Sequence, residues 1–163
     1  MKHRFHAAAA AAVIALSTLA TLAHAEGTGK MTQDQEDVLA LISKMTGSFE
    51  AGDLDRVMQT YEADQTIMFE PGKPVSDAKG ARLAFERFLA VSPKFSYSGH
   101  EVIVEGDIAV HIAPWQMTGT DPAGKPVEAA GLSIAVLRRQ ADGAWKMVID
   151  NPHGSHLLTG SAD

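Results

Sequence analysis

The sequence predicts an α+β fold, cone-shaped, with three N-terminal helices packed on a strongly curved, mainly antiparallel sheet. Three observations carry that prediction. Between residues 32 and 91 apolar side chains recur at intervals of three and four, the period of a helix face. From Phe95 onward the period changes to two, and the turn sequences EGD (105–107), TDPAGK (120–125) and ADGA (141–144) divide the run into hairpins. The two longest of the resulting strands exceed about ten residues, so they must twist and curl, which leaves a concave face for the helices to cover.

Each element has its own signals. Thr32 and Gln35 form a capping-box pattern, and Asp34, Glu36 and Asp37 crowd the positive end of the helix that follows. Val38, Ile42, Met45 and Phe49 make its apolar stripe, and Gly52 stops it. Asp53 caps a second, short helix carrying Leu54, Val57, Met58 and Tyr61. QTIMFEPG (65–72) reads as a short strand broken by Pro71 and Gly72. A third helix, about 78–91, is expected to bury Leu83, Phe85, Phe88 and Leu89 before Pro93 ends it. A four-stranded meander follows at roughly 95–104, 108–119, 126–139 and 144–151.

The first 25 residues differ in kind. Lys2 and Arg4 precede an Ala-rich apolar run, and Ala23-His24-Ala25 is a small-x-small cleavage site, the order of a secretory signal peptide. The expected product is a single domain, residues 26–163, periplasmic or secreted, with no membrane association after cleavage. Losing Lys2 and Arg4 from 14 basic residues leaves 12 against 20 acidic ones, a net charge of −8. That excludes a basic nucleic-acid footprint. There is no cysteine, so packing alone must hold the fold and no lipid can be attached at the cleavage site.

AGDLDRVMQTYEADQTIMFEPG, the Gly-Asp pair at 106–107 and VLRRQADGAWKMVIDN resemble the nuclear-transport-factor-2-like superfamily, in particular its SnoaL-like and ketosteroid-isomerase-like branch. The resemblance spans nearly the whole of residues 26–163 and implies the cone just described. It specifies fold better than chemistry, because the cone hosts isomerases, cyclases, dehydratases, binding proteins and dimerisation modules. In ketosteroid isomerases a carboxylate before a proline, after the first strand, shuttles the proton; Glu70-Pro71 matches that place. The tyrosine and aspartic acid that hold the enolate oxygen in those enzymes align with Met45 and Ala135. With both donors missing, steroid isomerisation is not expected.

The candidate site residues follow. Glu70 is the expected base, at the cone mouth beside the apolar Phe69 and Ile112, where its pKa would rise. The alternative is an ordinary turn carboxylate. In WKMVIDN, alternation sets Val148 and Asp150 on one face and Trp145, Met147 and Ile149 on the other. The resemblance turns the Val148 side to the pocket, making Asp150 the acid or orienting partner opposite Glu70. The alternative is a solvated strand end. Asp150, His153 and His156 have metal-like spacing, but Pro152 and Gly154 prevent a shared helix face, and a solvated tail is expected there, with no metal.

In DIAVHIAPWQMT both faces are apolar. The resemblance gives Ile108–Gln116 to the pocket, with Gln116 as a donor, and His111 and Trp115 to a dimer interface. A slip of one residue exchanges the sets, so His111 is kept as a reserve pocket residue. Tyr61 is expected in the core, its hydroxyl near the pocket rim. Together these readings describe an exported, homodimeric protein with an apolar pocket for a small organic ligand. Its chemistry would be carboxylate proton transfer (isomerisation, cyclisation or dehydration) without a cofactor. The alternative is a non-catalytic binding or dimerisation module.

Overall fold

A computed structural model describes residues 30–159. The expected signal peptide and its cleavage after Ala25 lie outside the described residues. Helix α1 (Gln33–Glu50) begins with the anticipated capping box: the Thr32 hydroxyl accepts from Gln35 N–H and the Gln35 side chain accepts from Thr32 N–H. Val38, Ile42 and Phe49 are buried on its inner face. Gly52 takes a φ of 75°, a left-handed turn that glycine adopts without strain, and Asp53 caps α2 (Leu54–Gln59). Helix α3 (Ala78–Phe88), capped by Asp77, runs into a 3-10 turn at Leu89–Val91. It buries Ala81 and Phe85, whereas Leu83, expected inside, is exposed.

Seven strands form one curved, mainly antiparallel sheet: β1 (Tyr61–Glu70), β2 (Lys73–Val75), β3 (Lys94–Tyr97), β4 (Glu101–Glu105), β5 (Ile108–Thr120), β6 (Pro126–Arg139) and β7 (Trp145–Asn151). Their order is β2-β1-β7-β6-β5-β3, with β4 also on β5; only β1 and β7 run parallel. A helical turn, α4 (His156–Thr159), follows. Two boundaries differ from expectation. Tyr61 opens β1 rather than closing α2, because Thr60 caps the helix and its carbonyl accepts from Met147 N–H. The single strand expected at 95–104 is two strands, because residues 98–100 hold one residue more than the stretch of β5 they span.

The sheet departs from simple alternation in places that matter. Val136 pairs with Ile149 but the adjacent Leu137 pairs with Met147, so Val148 is an extra residue in β7. A bulge of this kind shifts the following side chains to the other face. Trp145, Met147 and Asp150 therefore all point inward and are buried, while Ile149 is exposed. A second bulge in β1 inserts residues between Tyr61, opposite Met147, and Thr66, opposite Ile149. A third makes Phe69 extra between Met68 and Glu70.

The face assignment of β5 is corrected. Ala109, His111, Ala113 and Met117 are buried on the concave side, with Trp115 partly so; Ile112 and Gln116 belong to the convex side. Close helix packing explains the choice. Ala109, Ala113 and Ala135 are at most 1% exposed, small residues where the layers approach closely, and the bulky β-branched set is turned outward.

Candidate functional site

The helices and the concave face enclose a cavity of about 240 Å³. Its walls are largely aromatic. Phe49 comes from α1, Phe85 and Phe88 from α3, Phe69 from β1, Phe95 and Tyr97 from β3, and Trp115 from β5. Phe85 meets Phe69 edge-on at 4.9 Å and Phe49 at 5.2 Å, the offset geometry that aromatic quadrupoles favour. Met45, Ile67, Met68 and Met117 fill between the rings.

Polar groups enter this wall at few points, and the C-terminal end of β7 supplies two. The bulge at Val148 turns Asp150 inward, where 9% of it is exposed, and its Oδ2 accepts a 2.6 Å hydrogen bond from the buried Tyr61 hydroxyl. Burial raises the Asp150 carboxyl above its ordinary pKa; the Tyr61 hydrogen bond and the nearby His153 pull in the opposite direction and leave a net rise. Burial, then the Asp150 charge, pushes the Tyr61 phenol well above its usual range.

The residues after Asp150 are fixed in place by hydrogen bonds. Asn151 Oδ1 accepts from His153 N–H at 3.0 Å, and the Trp115 indole N–H donates to the Pro152 carbonyl at 2.9 Å. Gly154 N–H donates to Leu132, and the His153 carbonyl accepts from both His156 N–H and Nδ1. The His153 ring itself forms part of the cavity wall, its Nε2 3.1 Å from the Phe69 carbonyl. Elsewhere on the wall, the Thr46 and Tyr97 hydroxyls are 3.0 Å apart, and Ser133 adds a third hydroxyl.

The expected site residues divide into three groups. Asp150 and Phe69 line the cavity, with Tyr61 directly behind Asp150. Glu70 does not line it. The bulge at Phe69 turns that ring in and leaves the carboxylate outside, 64% exposed and 2.5 Å from Lys73 Nζ, which lowers its pKa instead of raising it. The expected Glu70–Asp150 pair across a shared pocket is therefore absent. Ile112 and Gln116 face away, and Val148 is the bulge residue rather than a lining one.

His111 is on the concave face but outside the cavity wall. Its Nε2 is 2.9 Å from His100 Nδ1, its own Nδ1 has no partner, and burial with the neighbouring His100 lowers its pKa to about 4. Trp115, assigned above to a dimer interface, belongs to the cavity. His153, read as tail, was missed; the pattern after Asp150 carried no periodicity to place it. Among the described residues no group of three or more His, Asp or Glu side chains is arranged to hold a metal ion.

Similarity searches agree with this architecture. A candidate ketosteroid isomerase from Shewanella frigidimarina superposes with a TM-score of 0.61 at 23% identity, covering 71% of this chain and 93% of that one. A candidate aromatic ring hydroxylase from Novosphingobium aromaticivorans gives 0.67 at 20% identity, over 76% and 90%. The association domain of C. elegans CaMKII gives 0.59 at 14% identity, over 72% and 93%. At these identities the likeness establishes the fold alone. No functionally curated protein matches the sequence. The sequence profile of the SnoaL-like domain matches residues 42–148, and with the helix-covered cone around it this places the chain in the SnoaL-like family.

Proposed function

We propose that the protein binds a small, neutral, ring-containing organic molecule in the aromatic cavity, with Asp150 as the group that gives or takes its proton. The observation that carries this is Asp150 itself, a buried carboxyl with a raised pKa in a wall made largely of aromatic and other apolar side chains. A carboxyl in that state donates a hydrogen bond as an acid, or abstracts a proton as a stronger base than an exposed one. Isomerisation, cyclisation and dehydration all reduce to such transfers. Neighbours described as isomerase and dehydratase candidates support two members of that range without choosing between them.

The cavity, about 240 Å³, is below the roughly 300–1,000 Å³ usual for drug-sized ligands, which favours one or two fused rings over a steroid skeleton. Residues Met45 and Ala135 offer no hydrogen-bond donor, which points the same way. The N-terminal segment supports export, and the apolar convex face of the sheet supports a homodimer.

Trp115 is in the cavity wall and Trp145 is not, so ligand entry is readable in tryptophan emission. Titration with naphthalene should quench Trp115 with saturable binding. Naphthalene-2-carboxylate should bind at least about tenfold more weakly, because its charge would be desolvated beside Asp150. Failure of naphthalene to bind would remove this reading.

The non-catalytic alternative keeps one specific support. The pocket carboxylate expected opposite Asp150 is outside the cavity, so acid and base are not provided by two carboxylates. Binding without turnover of any enolisable one- or two-ring ketone would favour that alternative.

A further inference from the structure

His153 is held at one edge of its ring. Nε2 is 3.1 Å from the Phe69 carbonyl oxygen, which can only accept, so Nε2 carries the hydrogen. In the neutral ring Nδ1 is then a bare lone pair, because a histidine's tautomer is set by the bond its other nitrogen makes. Among the described residues no group hydrogen-bonds to that Nδ1.

The ring is also kept from turning away. His153 N–H is bound by Asn151 Oδ1 at 3.0 Å, its carbonyl by His156, and the flanking residues by Trp115 and Leu132. His153 is thus a fixed member of the cavity wall, near enough to Asp150 to act on its carboxyl, with nothing donating to its Nδ1.

We infer that His153 Nδ1 is a specificity-determining acceptor, selecting ligands that carry a hydroxyl on an aromatic or conjugated ring. The inference rests on the apolar-ligand reading above and deepens it by naming the ligand's polar group. The rings of Phe69, Phe85 and Trp115 receive the flat body of such a molecule, and its O–H donates to Nδ1. An ether of the same shape has no hydrogen to give. Seating it would take the lone pair from water and leave it unpaired, an unfavourable exchange that the hydroxyl avoids.

The test compares naphthalene, 2-naphthol and 2-methoxynaphthalene by Trp115 quenching, in the full-length protein and in His153→Phe. At about pH 8 the wild type should bind 2-naphthol at least about tenfold more tightly than 2-methoxynaphthalene. In His153→Phe that ratio should fall towards one. Equal affinities in the wild type, with naphthalene bound, overturn the inference and leave the apolar-ligand reading standing. Absence of naphthalene binding overturns the reading beneath it.

Nitrogen-15 NMR of the wild-type histidine rings keeps the test open if the variant does not fold. The Nδ1 resonance should be that of an unprotonated nitrogen and should move with 2-naphthol but not with 2-methoxynaphthalene. A protonated Nδ1, or no response to 2-naphthol, also overturns it.

Discussion

Tyr61 and Asp150 are joined by one 2.6 Å hydrogen bond. That bond favours the ionised carboxylate, against the larger effect of burial. Replacing Tyr61 by Phe should therefore raise the Asp150 pKa further and destabilise the fold by about 1–3 kcal/mol, the usual cost of a buried polar group left alone. Carboxyl-carbon NMR and urea unfolding check the two effects separately; an unchanged Asp150 titration would contradict the assignment.

His111 behaves oppositely, its pKa depressed to about 4. The folded state thus prefers the neutral ring, and the stability this contributes is complete above the unfolded value of 6.5 and is lost as pH falls from 6.5 to about 4. His111→Leu should flatten that part of the stability curve. It also removes an unpartnered Nδ1, so near neutral pH the variant should be as stable as the wild type or more so. Urea midpoints at about pH 7 and about pH 4.5 decide it, with a parallel fall in both proteins as the contrary result.

At the scale of elements, β7 explains why the sequence was legible up to a point. Its existence followed from the ADGA turn and the apolar run after it. Its inward residues did not, because alternation assumes one residue per pleat and Val148 adds one. Reading straight through the bulge put Asp150 on the correct face for a mistaken reason, together with a Val148 that lines nothing. Glu70 failed for the same cause one strand away, where the bulge at Phe69 separates ring from carboxylate.

The face of β5 failed differently, since both faces are apolar and periodicity cannot choose between them; the small residues Ala109 and Ala113 were the usable signal. Deleting Val148 tests the bulge directly. With that extra residue gone, Met147, Ile149 and Asp150 should alternate regularly and Asp150 should stay inward, keeping its raised pKa and naphthalene binding, as read by NMR titration and Trp115 emission. An Asp150 released to solvent, with its bond to Tyr61 lost, would show that Val148 is not a simple insertion in the strand.

For the whole molecule, the helices cover the concave face and leave the convex one bare. Ile103, Val110, Val136 and Ile149 align by pairing into one apolar row across β4, β5, β6 and β7, beside the pairs Ile112–Ile134 and Pro114–Leu132. Ile103 is 52% and Ile149 42% exposed, unusual for such side chains on an isolated domain. A contiguous apolar stripe of this kind fits a symmetric dimer. It replaces the Trp115 face expected from the sequence. Val136→Glu should convert a wild-type dimer to a monomer in light scattering at micromolar concentration while naphthalene binding survives. A monomeric wild type would leave this face without its proposed partner.

Asp150 is a buried carboxyl whose proton the cavity holds more tightly than water would. Its side-chain carbon titration in the ligand-free wild type measures that directly. The expected midpoint is clearly above the ordinary 3.8, with a further rise in Tyr61→Phe. A midpoint at or below 3.8 would mean that the carboxylate is already solvated or paired, and would contradict the proton-transfer role assigned to it.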